Sequence, residues 1–141
     1  MFRLRCPGNC TGDFLRVAAS DRSGNLASYS NFGPLVDITA PGGRAVPNPE
    51  DGVLTTEIGA TYTYAEGTSY SAPQVAGVAA LIKEAAPELT PAQVVNIIKQ
   101  TAKPLPGSCA AGCGAGLLDA YAAVRAARLA PGIPVFGSTG S

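Results

Sequence analysis

The stretch that decides how this sequence folds is Gly67-Thr68-Ser69-Tyr70-Ser71-Ala72-Pro73-Gln74-Val75-Ala76-Gly77. A serine follows a flexible glycine, and Val75, Ala76, Val78, Ala79, Leu81 and Ile82 then run on with no polar face until Lys83. Pro73 sits where a first helical turn tolerates it, so a helix is predicted from about Ser69. A helix apolar on nearly all sides is a buried one, and this one must end before Pro87. The first N–H groups of a helix have no partner within it and favour negative charge. Acyl transfer needs an attacking hydroxyl beside donors for the oxyanion that develops. A serine here supplies the hydroxyl and, through its own N–H, one donor. The plainer alternative is that Thr68 or Ser69 merely caps the helix.

Upstream of the serine the pattern is extended. Asp13 to Ala19 reads as a short buried strand, and Asp21-Arg22-Ser23-Gly24-Asn25 as a turn. Leu26 to Phe32 reads as a second extended stretch ended by Gly33-Pro34. Leu35 to Ala40 reads as a third, stopped by Pro41-Gly42-Gly43. Arg44 to Gly52 holds Pro47 and Pro49 and reads as a surface loop. Val53 to Glu57 and Thr61 to Tyr64 read as strands, the second alternating threonine and tyrosine.

Downstream the signals are helical. Thr90 is a good N-cap, Pro91 takes the first helical position, and Gln93 completes a capping box. Leu89 and Val94 are placed for a hydrophobic staple. The spacing predicts a helix over 91–102 with Val94, Val95, Ile97 and Ile98 inward, and Lys99 and Lys103 near its negative end. A further helix is predicted from Asp119, as N-cap, to about Leu129. Residues 131–141 mix Pro, Gly, Ser and Thr and read as a tail or linker.

Composition narrows the chemistry. Hydrophobic residues make up 46% of the 141 and charged ones 14%, which suits a packed domain and not a disordered chain. Ten basic and ten acidic residues are scattered, so neither a nucleic-acid face nor an acidic tail is expected. No run approaches the roughly 18 apolar residues of a membrane span, and no membrane partner is expected. There is no histidine, so the chain by itself has no imidazole base and lacks the commonest metal ligand. The first residues, Met1 to Pro7, contain no apolar core of a signal peptide, and the early Cys-Pro-Gly-Asn-Cys loop reads as the middle of a fold.

Four cysteines form two close pairs, Cys6/Cys10 and Cys109/Cys113, neither with zinc-site spacing. Three disulfide connectivities are open. Two local bridges in an oxidising compartment are expected, with free or cross-paired thiols as the alternative.

The eleven residues from Gly67 to Gly77 resemble the active-site serine signature of the subtilisin-like serine proteases, with every defining position filled. The resemblance extends in order. Val17-Ala18-Ala19 with Ala27 to Gly33 looks like the strand and loop before the serine, and Val36 to Gly42 like the next strand and turn. Leu89-Thr90-Pro91 and Gly114 to Ala120 are similar to the last two helix starts, so the match covers about residues 6 to 129. The hydrolase elbow G-x-S-x-G fails at Ser71, and the β-lactamase pattern fails at Ala72, where it wants lysine. Sedolisins share the Gly-Thr-Ser start and use a Glu/Asp pair, but the Ser-Tyr-Ser-Asn-Phe-Gly and Ala-Pro-Gly segments point to subtilisins.

The resemblance implies a three-layer α/β/α fold with a mostly parallel sheet, of which residues 1–130 are the C-terminal portion. It implies endopeptidase chemistry on polypeptide substrates through an acyl-enzyme on Ser69, with Gly67, Thr68 and Pro73 shaping the turn. It implies secretion of the parent enzyme. Structural calcium is frequent in complete members, but no metal site or cofactor is assigned here. The triad's aspartate and histidine, the oxyanion asparagine and the glycine-rich substrate strand belong upstream of residue 1. Asn9, Asn25 and Asn31 do not fit the asparagine's role, and Asp37, Glu50, Asp51 and Glu66 read as solvated surface or loop charges. The isolated chain is therefore expected to hydrolyse peptides negligibly and to leave its serine helix partly uncovered unless its own N-terminal half is present. Two other readings share this ancestry: an inactive truncated relic, and a fragment that complements a separately encoded N-terminal half.

Overall fold

The computed structural model describes residues 15–107, 109 and 112–130. The elements in chain order are β1 (Val17–Ser20), β2 (Ile38–Pro41), a 3-10 turn (Pro49–Asp51), β3 (Val53–Glu57), β4 (Thr61–Ala65), α1 (Thr68–Ala85), α2 (Pro91–Gln100) and α3 (Ala120–Arg128). β1 and β2 pair in parallel, Val17 opposite Ile38 through Ser20 opposite Pro41. β3 and β4 form a separate antiparallel hairpin. The segment around Leu117 covers the far edge of β2. Thr39 donates its N–H to Gly116 O at 2.8 Å, and Leu118 donates to Thr39 O at 2.8 Å.

α1 packs on β1 and β2, and α2 and α3 pack on α1 and on each other. One apolar cluster joins all of these, with Ile38, Ile82, Ile98, Ala123 and Ala127 fully buried. This is helix-on-sheet layering of an α/β fold, with the parallel pair carrying the short, nearly all-apolar strands that such layering requires.

The local signals for the helices are met closely. Thr90 accepts the Gln93 N–H while Gln93 Oε1 accepts the Thr90 N–H at 2.8 Å, which is the capping box. Leu89 and Val94 are both buried in the common core, as a staple requires. Asp119 caps α3 by accepting the Ala122 N–H at 3.0 Å. α2 is shorter than expected and ends at Gln100.

Four expectations are corrected. Leu26 to Phe32 is not a strand: after one bridge from Leu26 to Ser20 the chain turns. Side chains there do the work of a ladder, because Ser30 Oγ accepts the Ala19 N–H at 2.8 Å. The third strand begins only at Ile38 and takes in Pro41, since Val36 N–H is used in a turn onto Gly33 O. Pro73 lies in the second turn of α1, because the helix begins at Thr68. Its missing N–H leaves the Ser69 carbonyl without its helical donor. Finally, α1 is buried on one side only. Ser71, Val75, Val78 and Ile82 are buried, whereas Ala72, Pro73, Ala76, Gly77 and Ala80 are exposed and Leu81 is 49% exposed.

The strand expected from Asp13 is described from Val17, and Asp13 and Phe14 lie outside the described residues. So do Cys6, Cys10 and the tail 131–141.

Candidate active site

Ser69 is the second residue of α1 and is exposed. The turn that delivers it rests on Gly67, the residue before the helix, whose φ of 150° and ψ of 156° lie where L side chains are strongly disfavoured. Gly67 donates its N–H to Gly42 O at 3.0 Å, and its own carbonyl accepts the Tyr70 N–H at 3.0 Å. The serine's N–H is among the first four of an 18-residue helix, where no intrahelical acceptor exists. An exposed hydroxyl thus stands beside backbone donors at the positive end of a long helix.

Three contacts hold this turn to the end of β2 and the residues after it, and a fourth, from Tyr29, braces the same stretch from the other side. Besides the Gly67–Gly42 bond, Gln74 Nε2 donates to Pro41 O at 2.7 Å and to Tyr70 O at 2.8 Å. Tyr29 Oη donates to Gly43 O at 2.7 Å. The Ala45 N–H donates to Glu66 Oε2 at 2.6 Å. Partial burial raises the Tyr29 phenol above its ordinary range; its bonded surroundings at Gly67 oppose the shift, and the carboxylates of Glu66 and Asp21 add to it. Sequence reasoning missed Gln74, Tyr29 and Glu66 as supports, although Gln74 lies inside the quoted signature.

Beneath the serine, Ser71 is fully buried, and its Oγ has no hydrogen-bond partner among the described residues. It faces Gly42, where an added Cβ would lie 2.7 Å from Ser71 Oγ, 2.7 Å from Tyr29 Oη and 2.5 Å from Ala19 Cβ. Glycine at 42 is therefore a packing requirement.

The remaining sequence-based site residues lie apart or do other work. Thr68 opens the helix and Pro73 is exposed on its second turn. Cys109 and Cys113 are joined in a disulfide, with Cα atoms 6.0 Å apart. That loop braces the strand segment and not the serine: Gly33 N–H donates to Gly112 O at 2.8 Å, and Thr39 Oγ1 to Cys113 O at 2.9 Å. Asp37 is corrected from a solvated charge to an anchored one. Its side chain is only 13% exposed and pairs with Arg16 Nε at 2.7 Å and Lys99 Nζ at 3.1 Å. Burial alone pushes this carboxyl up. Hydrogen bonds from the Arg16 side chain and N–H, and from Lys99, outweigh that and hold it below the usual range. Asp51 pairs with Arg22 at 3.2 Å. Among the described residues no three His, Cys, Asp or Glu side chains converge on a metal position, and no helix is long and apolar enough to cross a membrane.

The likeness to known proteins agrees with this layout. The model of the subtilase family, Peptidase_S8, matches residues 3–117. An extracellular protease of Xanthomonas campestris pv. campestris is 48% identical over 122 residues, covering 86% of this chain and 21% of that protein. Subtilisin Savinase of Lederbergia lenta is 40% identical over 111 residues, covering 79% of this chain and 38% of that protein. A solved protease from Pseudoalteromonas arctica superposes with a TM-score of 0.77 at 45% identity, over 86% of this chain and 38% of the other. The chain thus spans between about a fifth and two fifths of these relatives. With the serine signature on the opening turn of α1 and a family match over most of its length, the chain belongs to the subtilase family of serine proteases.

Proposed function

We propose that this chain carries the nucleophile of a serine endopeptidase and works as the C-terminal portion of a complete subtilase domain. The observation that carries the reading is an exposed Ser69 on the second residue of α1, in a chain of this family. In the reaction Ser69 Oγ loses its proton to a base and attacks the scissile carbonyl carbon. The oxyanion forms beside the Ser69 N–H, the C–N bond breaks with protonation of the leaving amine, and water then releases the acyl group. Gly67 sets the turn and Thr68 opens the helix behind it. Gln74 and Tyr29 fix the carbonyls of Pro41 and Gly43 next to it.

With no histidine among 141 residues, the imidazole base must come from outside this chain. Loss of the base costs such a site orders of magnitude in rate. Alone, then, the chain hydrolyses peptides negligibly, as either a relic or a complementing fragment would. Action on polypeptides outside the cell belongs to the same proposal. It is supported by relatives named extracellular protease and extracellular basic protease, and by the Cys109–Cys113 bridge.

The test compares hydrolysis of a chromogenic peptide by the full chain alone and by the chain fused behind the N-terminal portion of the Xanthomonas relative's catalytic domain. Activity is expected only in the fusion, and Ser69→Ala should abolish it. Ser69-dependent turnover by the chain alone would overturn the need for an outside base. Equal turnover by the Ser69→Ala fusion would overturn the role of Ser69.

A further inference from the structure

Residues 53–65 stand apart from the rest of the described chain. β3 and β4 pair with each other and with no other described strand, and none of their residues enters the common apolar core. A two-stranded hairpin on its own is marginal in water. Every residue from Thr56 to Tyr62 is exposed, the longest such run among the described residues, and Ile58 at the tip is 98% exposed.

The tip is also strained. The loop Ile58-Gly59-Ala60 joins Glu57 to its partner Thr61 with a φ of 90° at Gly59 and 58° at Ala60. Ala60 is the one non-glycine with positive φ among the described residues, and its Cβ disfavours that backbone. The loop is crossed by a long side-chain bond from Thr61 Oγ1 to Ile58 O at 3.3 Å. Other exposed loops are tied down more firmly. Asn25 N–H donates to Asp21 Oδ1 at 2.9 Å across the turn after β1, and Gly33 N–H donates to Gly112 O at 2.8 Å. In the loop before β3, Asp51 accepts the Arg44 N–H on its carbonyl at 2.9 Å and Arg22 on its carboxylate at 3.2 Å.

A protease cuts chain that can be drawn out of its fold, and exposed loop tips of small residues are where that costs least. Residues 57–61 include no lysine, arginine or aromatic residue, so an enzyme that demands one would pass them over. We infer that this hairpin tip is a proteolytic processing site for an endopeptidase of broad specificity, and that cutting it leaves the two pieces assembled. Hydrolysis there adds one water across one peptide bond, leaving a carboxylate on the β3 side and an ammonium group on the β4 side. The first piece keeps β1 and β2, and the second keeps α1, α2 and α3. Ile38 and Ala40 of the one share a core with Val75, Val78 and Ile82 of the other. The serine turn also stays fixed, because Gly67 N–H and Gln74 Nε2 bond to Gly42 O and Pro41 O without help from β3. The inference goes beyond the proposed chemistry and does not need Ser69.

The experiment digests the full chain carrying Ser69→Ala with a trace of subtilisin Savinase at neutral pH and identifies by mass the first cut between residues 15 and 130. The result is read in the full chain where that melts cooperatively, and in the Ser69→Ala fusion described above otherwise. A first cut within 57–61 is expected, with the two pieces eluting together on gel filtration and parting only in urea. Ala60→Gly should slow that cut by about threefold to tenfold, because it relieves the positive φ and lowers the population of open hairpin on which cutting depends. A first cut elsewhere in that span, pieces that part without denaturant, or an unchanged or faster cut in Ala60→Gly would each overturn the inference.

Discussion

Gln74 reaches from the second turn of α1 to the carbonyl of Pro41, the last residue of β2, at 2.7 Å. That single amide couples the helix bearing Ser69 to the end of the parallel strand pair. It donates to Tyr70 O as well, so it spans strand and helix together. Replacing it by leucine keeps the bulk and removes both donors. We expect Gln74→Leu to cost about 1 kcal/mol, a normal net value for a hydrogen bond. In a complete enzyme it should lower kcat more than it raises KM, because it acts on the placement of Ser69. Urea unfolding and steady-state kinetics check the two halves, and a pure KM effect would contradict the positioning role.

Ser71 and Gly42 form a second coupled pair. The Ser71 hydroxyl is buried with no hydrogen-bond partner among the described residues, and a buried unsatisfied polar group costs about 1–3 kcal/mol. Ser71→Ala should therefore be neutral or stabilising. Gly42→Ala should destabilise by about 1–3 kcal/mol, since its new methyl would be forced against Ser71 Oγ, Tyr29 Oη and Ala19 Cβ. The double variant should recover only part of that loss, because the Ala19 contact at 2.5 Å remains. A double-mutant cycle on melting temperature measures the coupling. Strict additivity would show that the two side chains do not compete for one space.

Asp37 makes stability depend on acid. Its folded pKa is depressed, so it contributes stability above its unfolded value of about 4, and this is lost as pH falls through the lower folded value. Asp119 carries the same sign: the Ala122 N–H and Lys103 hold its carboxyl down. We expect Asp37→Asn to cost about 1–2 kcal/mol at neutral pH, given partners that are 40–44% exposed and therefore partly screened. The difference between variant and parent should shrink steadily as pH falls below about 4 and through the lowered folded value. Chemical denaturation at a series of pH values reads this directly. A cost that persists unchanged at the acid end would mean that Asp37 acts by shape, not charge.

These residues also show what was legible in the sequence and what was not. The caps at Thr90 and Asp119 were readable because their partners lie three residues away, and so were the separate strands β3 and β4, though not their pairing as a hairpin. The serine turn was readable because Gly67, Ser69 and Pro73 form a contiguous pattern. What stayed hidden depends on distant partners. Ser30 replaces a ladder bond to Ala19 eleven residues away, and Lys99 meets Asp37 across 62 residues. Gln74 occupied a position of the signature where the side chain carried no expectation. The burial of α1 was overread for a different reason: composition tells how apolar a helix is, but not which of its faces this chain covers.

The Cys109–Cys113 bridge closes a loop of five residues, and chain-entropy reasoning gives such a loop about 2 kcal/mol of stabilisation. Its effect should appear at a distance from the cysteines. The loop's carbonyls accept from Gly33 N–H and Thr39 Oγ1, and Thr39 lies fully buried in β2, two residues before Pro41. Changing both cysteines to serine should therefore lower stability by about that amount and speed hydrogen exchange at Thr39 and Ala40. The α2 amides, capped by Thr90 and Gln93, should be slowed or quickened only by the global change. Exchange measured residue by residue distinguishes these regions. Uniform acceleration with no excess in β2 would show that the bridge acts only on the unfolded chain and does not brace the strand leading to the serine turn.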